Sequence, residues 1–272
     1  MELRRASSVE DAAGGLPVAG GTEVVPLLRA GVVTADVLVD VRAVVPVGID
    51  GGRIGAGTPL AAIEADARTP EALREACRLA ASPQLRNMGS LAGNLLQATR
   101  CWYWRLHWPC RLHGGRECFA IAGEHREHAI FANDFCASAH PSDPAAALLA
   151  LDARVVTNRR TLEIGGLYRL PSADDNRSTT LEPGEVLLAV EIPSHDASVY
   201  LKAMERKRWA FPLVGVAAAR RGNDIRVALA GVAPVPWLLE GELDGATPLP
   251  GNAYKVEIAK ALVKRAVAAV QA

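Results

Sequence analysis

The chain has 272 residues, half of them hydrophobic, and its 30 basic and 30 acidic side chains cancel. That length allows a sizeable core shared among two or three subdomains. Balanced charge gives no sign of a nucleic-acid or membrane-surface partner, and no apolar run approaches the ~20 residues of a membrane span.

The chain opens with Met1-Glu2-Leu3-Arg4-Arg5 and polar residues rather than the apolar stretch of a secretion signal. A cytoplasmic, reducing compartment is therefore the default expectation. Val18–Leu28 reads as a strand, a glycine turn and a short helix. Asp36–Val41 is a strand, and Arg53–Leu60 is another that enters a turn, with Thr58 placed to cap a helix beginning at Pro59. Glu71–Ala81 carries Leu73, Cys77 and Ala80 on one helical face, which makes Cys77 a core residue. Residues 97–140 show no sustained period and read as a long irregular excursion, of the kind that is functional when its composition is not that of disorder. Asp143–Leu151 is then a short helix, Ala153–Thr157 and Thr161–Ile164 are strands, and Glu185–Ile192 is a strand ending at Pro193. Polar Ser194–Ser198 suggests a boundary. Phe211–Arg220 and Ile225–Val232 pair across the turn Arg221-Gly222-Asn223-Asp224. From Ala253 the tail is an amphipathic helix that packs through Val256, Leu262, Val263, Ala266 and Val270.

The excursion holds four of the five cysteines, Cys101, Cys110, Cys118 and Cys136, spaced C-x8-C-x7-C-x17-C among many aromatic rings. Thiolates are soft ligands for zinc or iron–sulfur clusters. Structural zinc favours close C-x2–4-C pairs, which are missing here, whereas single spread cysteines suit the four corners of a cubane. A zinc loop and a disulfide pairing stay open on spacing alone. Five of the six histidines also fall here (His107, His113, His125, His128 and His140), so one of them could replace a cysteine.

Two small-residue loops flank a possible anionic ligand. Ala19-Gly20-Gly21-Thr22-Glu23 can bring backbone N–H groups to a phosphate, or be only a tight turn. Asn87-Met88-Gly89-Ser90-Leu91-Ala92-Gly93-Asn94 offers amide and hydroxyl donors, or is only a polar loop. Ser142-Asp143 is either a helix cap or a carboxylate for sugar hydroxyls. The run Met204-Glu205-Arg206-Lys207-Arg208-Trp209 is a solvated edge or a cation source for a flavin.

Taken in order, these segments resemble the FAD-binding subunit of molybdenum hydroxylases, the family of xanthine dehydrogenase, carbon monoxide dehydrogenase and aldehyde oxidoreductase flavoproteins. The cysteine window is similar to a branch with an extra [4Fe–4S] cluster, and Gly123–Phe131 looks closer to its aldehyde oxidoreductase type than to its 4-hydroxybenzoyl-CoA reductase type. Ala92 replaces a frequent family glycine, and Trp209-Ala210-Phe211 stands where xanthine dehydrogenase-like members carry an acidic residue. The resemblance implies an α+β fold. Two FAD-binding subdomains would span 1–55 and 56–196, with the cluster loop inserted at 97–140, and a small C-terminal α+β domain would span 197–272. It implies that all four cysteines ligate the cluster and Cys77 does not. Ala19 to Glu23 would hold the FAD pyrophosphate, and Asn87, Gly89, Ser90, Gly93 and Asn94 would hold phosphate and ribityl oxygens. Ser142 and Asp143 would meet a sugar or ribityl hydroxyl, and Lys207 and Arg208 the flavin. The implied partners are a molybdopterin-containing large subunit, a [2Fe–2S] small subunit and an external electron acceptor. Two other readings are a self-contained flavin oxidase with a structural zinc loop, and a non-catalytic scaffold that has lost FAD. Because the flavin loops and the cysteine loop are separate in sequence, Cys110→Ser is expected to remove cluster iron and leave FAD bound.

Overall fold

The computed structural model of the chain describes every residue except Arg208 and Glu242. Its α+β architecture is built on three sheets. The first is parallel: β1 (Glu2–Arg5), β2 (Leu16–Val18) and β3 (Val37–Asp40) lie in the order β1-β3-β2, and β2 runs through the glycine turn into α1 (Val24–Arg29). The second sheet is antiparallel. It takes β4 (Ile49–Asp50), β5 (Arg53–Gly55), β6 (Arg154–Thr157), β7 (Thr161–Glu163) and β8 (Leu187–Glu191) in the order β4-β5-β8-β6-β7. Between β5 and β6 run α2 (Leu60–Ala65), α3 (Glu71–Ala80), α4 (Pro83–Met88), α5 (Leu91–Leu95), two single turns α6 (Trp102–Arg105) and α7 (Phe119–Ala122), and α8 (Asp143–Ala150). The third sheet, order β12-β11-β10-β9, contains β9 (Ala197–Ala203), β10 (Val214–Arg221), β11 (Asp224–Ala230) and β12 (Trp237–Leu238), with α9 (Tyr254–Gln271) packed across it. No helix among the described residues is long and apolar enough to cross a membrane.

The apolar patterns explain these elements. Every residue of α8 is buried, as its Asp-Pro-Ala-Ala-Ala-Leu-Leu-Ala sequence allows, and it fills the space between α3 and the third sheet. On α3, Ala72, Leu73, Ala76 and Cys77 form the buried face, and burial pushes the Cys77 thiol well above its usual range. On α9, Ala259, Leu262, Ala266 and Val270 are buried with Val256 and Val263 beside them, and fully buried Lys255 shares that side. The hairpin of β10 and β11 turns at Gly222, which has φ +61°.

Three features differ from the sequence expectation. Thr58 caps no helix: α2 begins at Leu60 with extended Pro59 before it, and the Thr58 hydroxyl accepts from Gly48 N–H at 2.9 Å and donates to its carbonyl at 3.2 Å. β9, a seven-residue strand that the sequence reading does not anticipate, begins within the polar stretch after Pro193. The excursion at 97–140 has short helical turns, several of which begin at cysteines.

Candidate flavin cavity and cysteine insert

A cavity of about 390 Å³ opens between the first two sheets. Ala19, Gly20, Gly21, Thr22 and Glu23 line one side, and Asn87, Ser90 and Gly93 the other. Val41, Val45, Val47 and Leu96 supply apolar wall, suited to a flat ring system. Gly21 adopts φ +70°, a left-handed conformation that turns the chain from β2 into α1. The backbone N–H groups of Gly20, Gly21, Thr22 and Glu23 donate to no carbonyl among the described residues, so their hydrogen-bonding capacity is open toward the cavity they line. The second loop is more fully bonded within the protein: Gly89 N–H donates to Leu85 O at 2.7 Å, Ala92 N–H to Ala56 O at 2.9 Å, and Gly93 N–H to Ser90 Oγ at 3.2 Å. The loops also touch. A Cβ on Gly20 would lie 1.8 Å from the Met88 carbonyl oxygen, so this glycine permits loop-to-loop contact rather than ligand approach.

Arg42 lines the cavity as well, a residue the sequence reading missed because it sits just past the strand signal. Its guanidinium forks onto Asp40 (Nε–Oδ1 2.9 Å, Nη2–Oδ2 2.7 Å), and this pairing holds the Asp40 carboxyl down at about 2. The fork orients the arginine at the cavity wall.

Several expected contacts lie elsewhere. Gly89 and Asn94 are not among the residues that line the cavity. Ser142 caps α8 by accepting from Ala145 N–H at 3.0 Å, and its hydroxyl donates to Asn94 Oδ1 at 2.6 Å, so Ser142 and Asn94 satisfy one another. Asp143 is buried away from the cavity. Lys202 Nζ donates to its Oδ2 at 2.8 Å and the Tyr200 hydroxyl donates to Oδ1, which leaves neither oxygen aimed at a ligand. This ion pair, not a ribityl contact, is what the geometry gives Asp143. Lys207 is exposed on the β9–β10 connection and does not line the cavity, and Arg208 lies outside the described residues.

The cysteine insert packs beside the first loop. Cys101, Cys110 and Cys118 each stand at the N-terminal end of a helical turn, a pattern invisible in their spacing. Backbone N–H groups of Tyr103 and Trp104 point at Cys101, those of Ala120, Ile121 and Ala137 at Cys118, and that of Ser138 at Cys136. All four thiols are free of disulfides. The adjacent Cys136 thiol, helped by the N–H donors, pulls the Cys118 thiol down despite burial, while the Cys118 thiol and burial push Cys136 up; Cys136 Sγ donates to Ser138 Oγ at 3.3 Å. Burial pushes Cys101 up to about 11. No group of three His, Cys, Asp or Glu side chains among the described residues converges on a single-ion position.

The histidines serve the insert's architecture. His128 is 3% exposed, rests edge-on against Trp102, and places Nε2 3.3 Å from Cys101 Sγ; burial pushes its imidazole down to about 4, so it is neutral. His125 bonds Ala120 O at 2.9 Å and accepts from Gly251 N–H at 2.8 Å. His113 meets Trp104 O at 2.9 Å and His107 meets Ala30 O at 2.8 Å. Buried His140 lies edge-on to Tyr168.

The C-terminal helix holds the insert from below. Lys255 Nζ donates to the carbonyls of Gly231 (2.6 Å), His128 (2.8 Å) and Glu127 (3.1 Å); burial pushes the ammonium down to about 7, and three acceptors match its three protons. Asn252 also donates to His128 O, at 3.2 Å. Lys255→Met therefore leaves chiefly the buried Gly231 carbonyl without a donor, at a cost of about 2 kcal/mol. Thermal unfolding of the variant measures this, and an unchanged midpoint would mean that the lysine contributes nothing net.

Residues 4–195 match the family described as FAD binding domain in molybdopterin dehydrogenase. Over 245 residues the chain is 37% identical to the aldehyde oxidoreductase FAD-binding subunit PaoB of Escherichia coli (strain K12), covering 82% of this chain and 76% of that one. Among solved structures, carbon monoxide dehydrogenase from Oligotropha carboxidovorans superposes with a TM-score of 0.70 at 21% identity, covering 99% of this chain and 97% of that one. Quinoline 2-oxidoreductase from Pseudomonas putida 86 gives a TM-score of 0.64 at 18% identity, covering 100% and 97%. At such low identity these two show a shared fold. The match over residues 4–195 and the 37% identical relative together place the chain in the FAD-binding family of molybdopterin dehydrogenases, as an oxidoreductase subunit.

Proposed function

We propose that the chain is the FAD- and [4Fe–4S]-containing electron-transfer subunit of a heteromeric molybdenum hydroxylase of the aldehyde oxidoreductase type. Its partners are a molybdopterin-containing large subunit and a [2Fe–2S] small subunit, and it delivers their electrons to an external acceptor. FAD, when bound, supplies exchange between one- and two-electron carriers. The chain's own residues bind and orient. The free N–H groups of Gly20 to Glu23 suit the pyrophosphate, and Arg42 adds a fixed cation at the same wall. Asn87, Ser90 and Gly93 face the phosphate and ribityl oxygens from the other side.

The observation that carries the cluster assignment is the set of N–H groups directed at Cys101, Cys118 and Cys136 from an insert packed against the flavin loop. Such donors stabilise thiolate and set the potential of an iron–sulfur centre. Single, widely spaced cysteines without a close C-x2–4-C pair suit a cubane better than structural zinc. A reducing cytoplasm, where such thiols stay free, suits this site.

Anaerobic purification followed by low-temperature EPR of the dithionite-reduced protein tests the proposal, with iron, sulfide, zinc and flavin assayed on the same sample. The expected result is a fast-relaxing cubane signal stoichiometric with the chain, together with FAD. Zinc in place of iron would reject the relay and leave a flavoprotein with a structural metal loop. A colourless, flavin-free protein would reject the electron-transfer role.

A further inference from the structure

Separation in sequence is not separation in space for the flavin loop and the cysteine insert. Glu23 closes the first loop, and Arg100 immediately precedes Cys101. Glu23 Oε2 accepts from Arg100 Nη2 at 2.6 Å, and Oε1 accepts from Arg105 Nη2, also at 2.6 Å. The carboxylate is only 13% exposed and the arginines 31% and 21%, so solvent screens this bridge much less than the chain's surface pairs. Arg105 Nε also donates to Thr99 O at 2.8 Å, which fixes the start of the insert. The Arg100 guanidinium lies 4.6 Å over the Phe211 ring, and its buried Nε has no partner among the described residues. At the far end of α1 the His107 ring reaches Ala30 O at 2.8 Å. The helix that the glycine loop opens is thus held at both ends by the insert.

We propose that this grip couples the two sites: a filled cysteine site strengthens FAD binding, bound FAD strengthens cluster retention, and Glu23 is the positioning residue that carries the coupling. The inference rests on the reading of Ala19–Glu23 as the FAD loop and of the four cysteines as cluster ligands. The insert's own apolar core is small, with Tyr103, Ala120 and Ala137 as its buried centre. Ligation of Cys101, the residue after Arg100, would add to these contacts and tighten the placement of Arg100 and Arg105. When the insert loosens, Glu23 loses its two partners, and the N–H groups of Gly20 to Glu23 lose their fixed direction. Linkage requires the reverse effect to be equally large.

The test is a cycle on the full-length chain, with FAD affinity from fluorescence titration of deflavinated protein and iron and sulfide assayed in parallel. The four proteins are the unaltered chain, Cys110→Ser, Glu23→Gln and the double variant. Cys110→Ser is expected to weaken FAD about five- to 150-fold, and the same change on top of Glu23→Gln to have little further effect. Chemical removal of the cluster from the unaltered and Glu23→Gln proteins gives the same comparison should the cysteine variant fail to fold. Loss of iron with unchanged FAD affinity, or an equal weakening in both backgrounds, overturns the coupling. An unaltered chain that binds FAD but holds no iron overturns it through the cluster reading; one that holds iron but no FAD does so through the flavin reading.

Discussion

Gly20→Val is expected to yield protein without FAD, and Gly20→Ala to do nearly the same. The shared cause is the first side-chain carbon: a Cβ at this position would stand 1.8 Å from Met88 O and 2.6 Å from Met88 C, both backbone atoms of the opposing loop. No rotamer relieves that contact, so the first loop must lift off the second and the cavity between them changes shape. Gly21→Ala is a milder lesion. Its Cβ would meet Val25 Cγ2 at 3.2 Å, and its left-handed φ of +70° costs an alanine roughly 1–2 kcal/mol. It should weaken FAD while leaving the loops docked. Flavin released on denaturation, measured per chain, ranks the three variants, and circular dichroism checks that each is folded. A full flavin complement in Gly20→Ala would show that the loops can part without loss of the cofactor.

What the sequence made legible was local. Strand, glycine pair and helix occupy neighbouring positions, so the first loop could be read from punctuation alone, and so could the β10–β11 hairpin. The cysteines stood out because residue type and crowding need no partner to be seen. What stayed hidden depends on residues far away in the chain. Gly20 is small because of Met88, Thr58 answers to Gly48 rather than to a helix, and Asn94 is occupied by Ser142. Glu23 reads as part of a ligand loop, yet its carboxylate belongs to Arg100 and Arg105. The N–H groups aimed at sulfur come from short turns and from the irregular Ala137 and Ser138, none with a helical period in its sequence. β9 shows a different failure. Ser198, Tyr200 and Lys202 alternate on one face and look solvent-facing, but each bonds inward: Ser198 Oγ accepts from Ala72 N–H at 3.1 Å, Tyr200 donates to Asp143, and Lys202 also donates to Leu79 O at 2.8 Å. A strand whose buried face is polar defeats the alternation rule.

That buried polar face leads to the second large effect. Lys202 and Asp143 are 0% and 1% exposed, and they join the third sheet to the start of α8. Removing one partner strands the other in the interior, so Lys202→Met or Asp143→Asn is expected to cost about 3–5 kcal/mol. The two variants should differ in their response to pH. Burial raises the Asp143 carboxyl above its ordinary value, and Lys202 and Tyr200 draw it back. In Lys202→Met the largest opposing influence is gone, so the carboxyl titrates higher still in the folded state than in the unfolded one. The folded variant then keeps a proton that the unfolded chain has released, and its stability falls as pH rises from the unfolded carboxyl's range through the raised one. Its deficit against the unaltered chain should be smallest in mild acid and grow toward neutrality. Asp143→Asn has no carboxyl to protonate, so its deficit should lack that dependence. The double variant removes both charges and should be less destabilised than the two single costs added together. Urea unfolding at several pH values separates these outcomes. A flat pH response for Lys202→Met would mean that water reaches Asp143 once the lysine is gone, and additive costs would mean that the pair is not coupled.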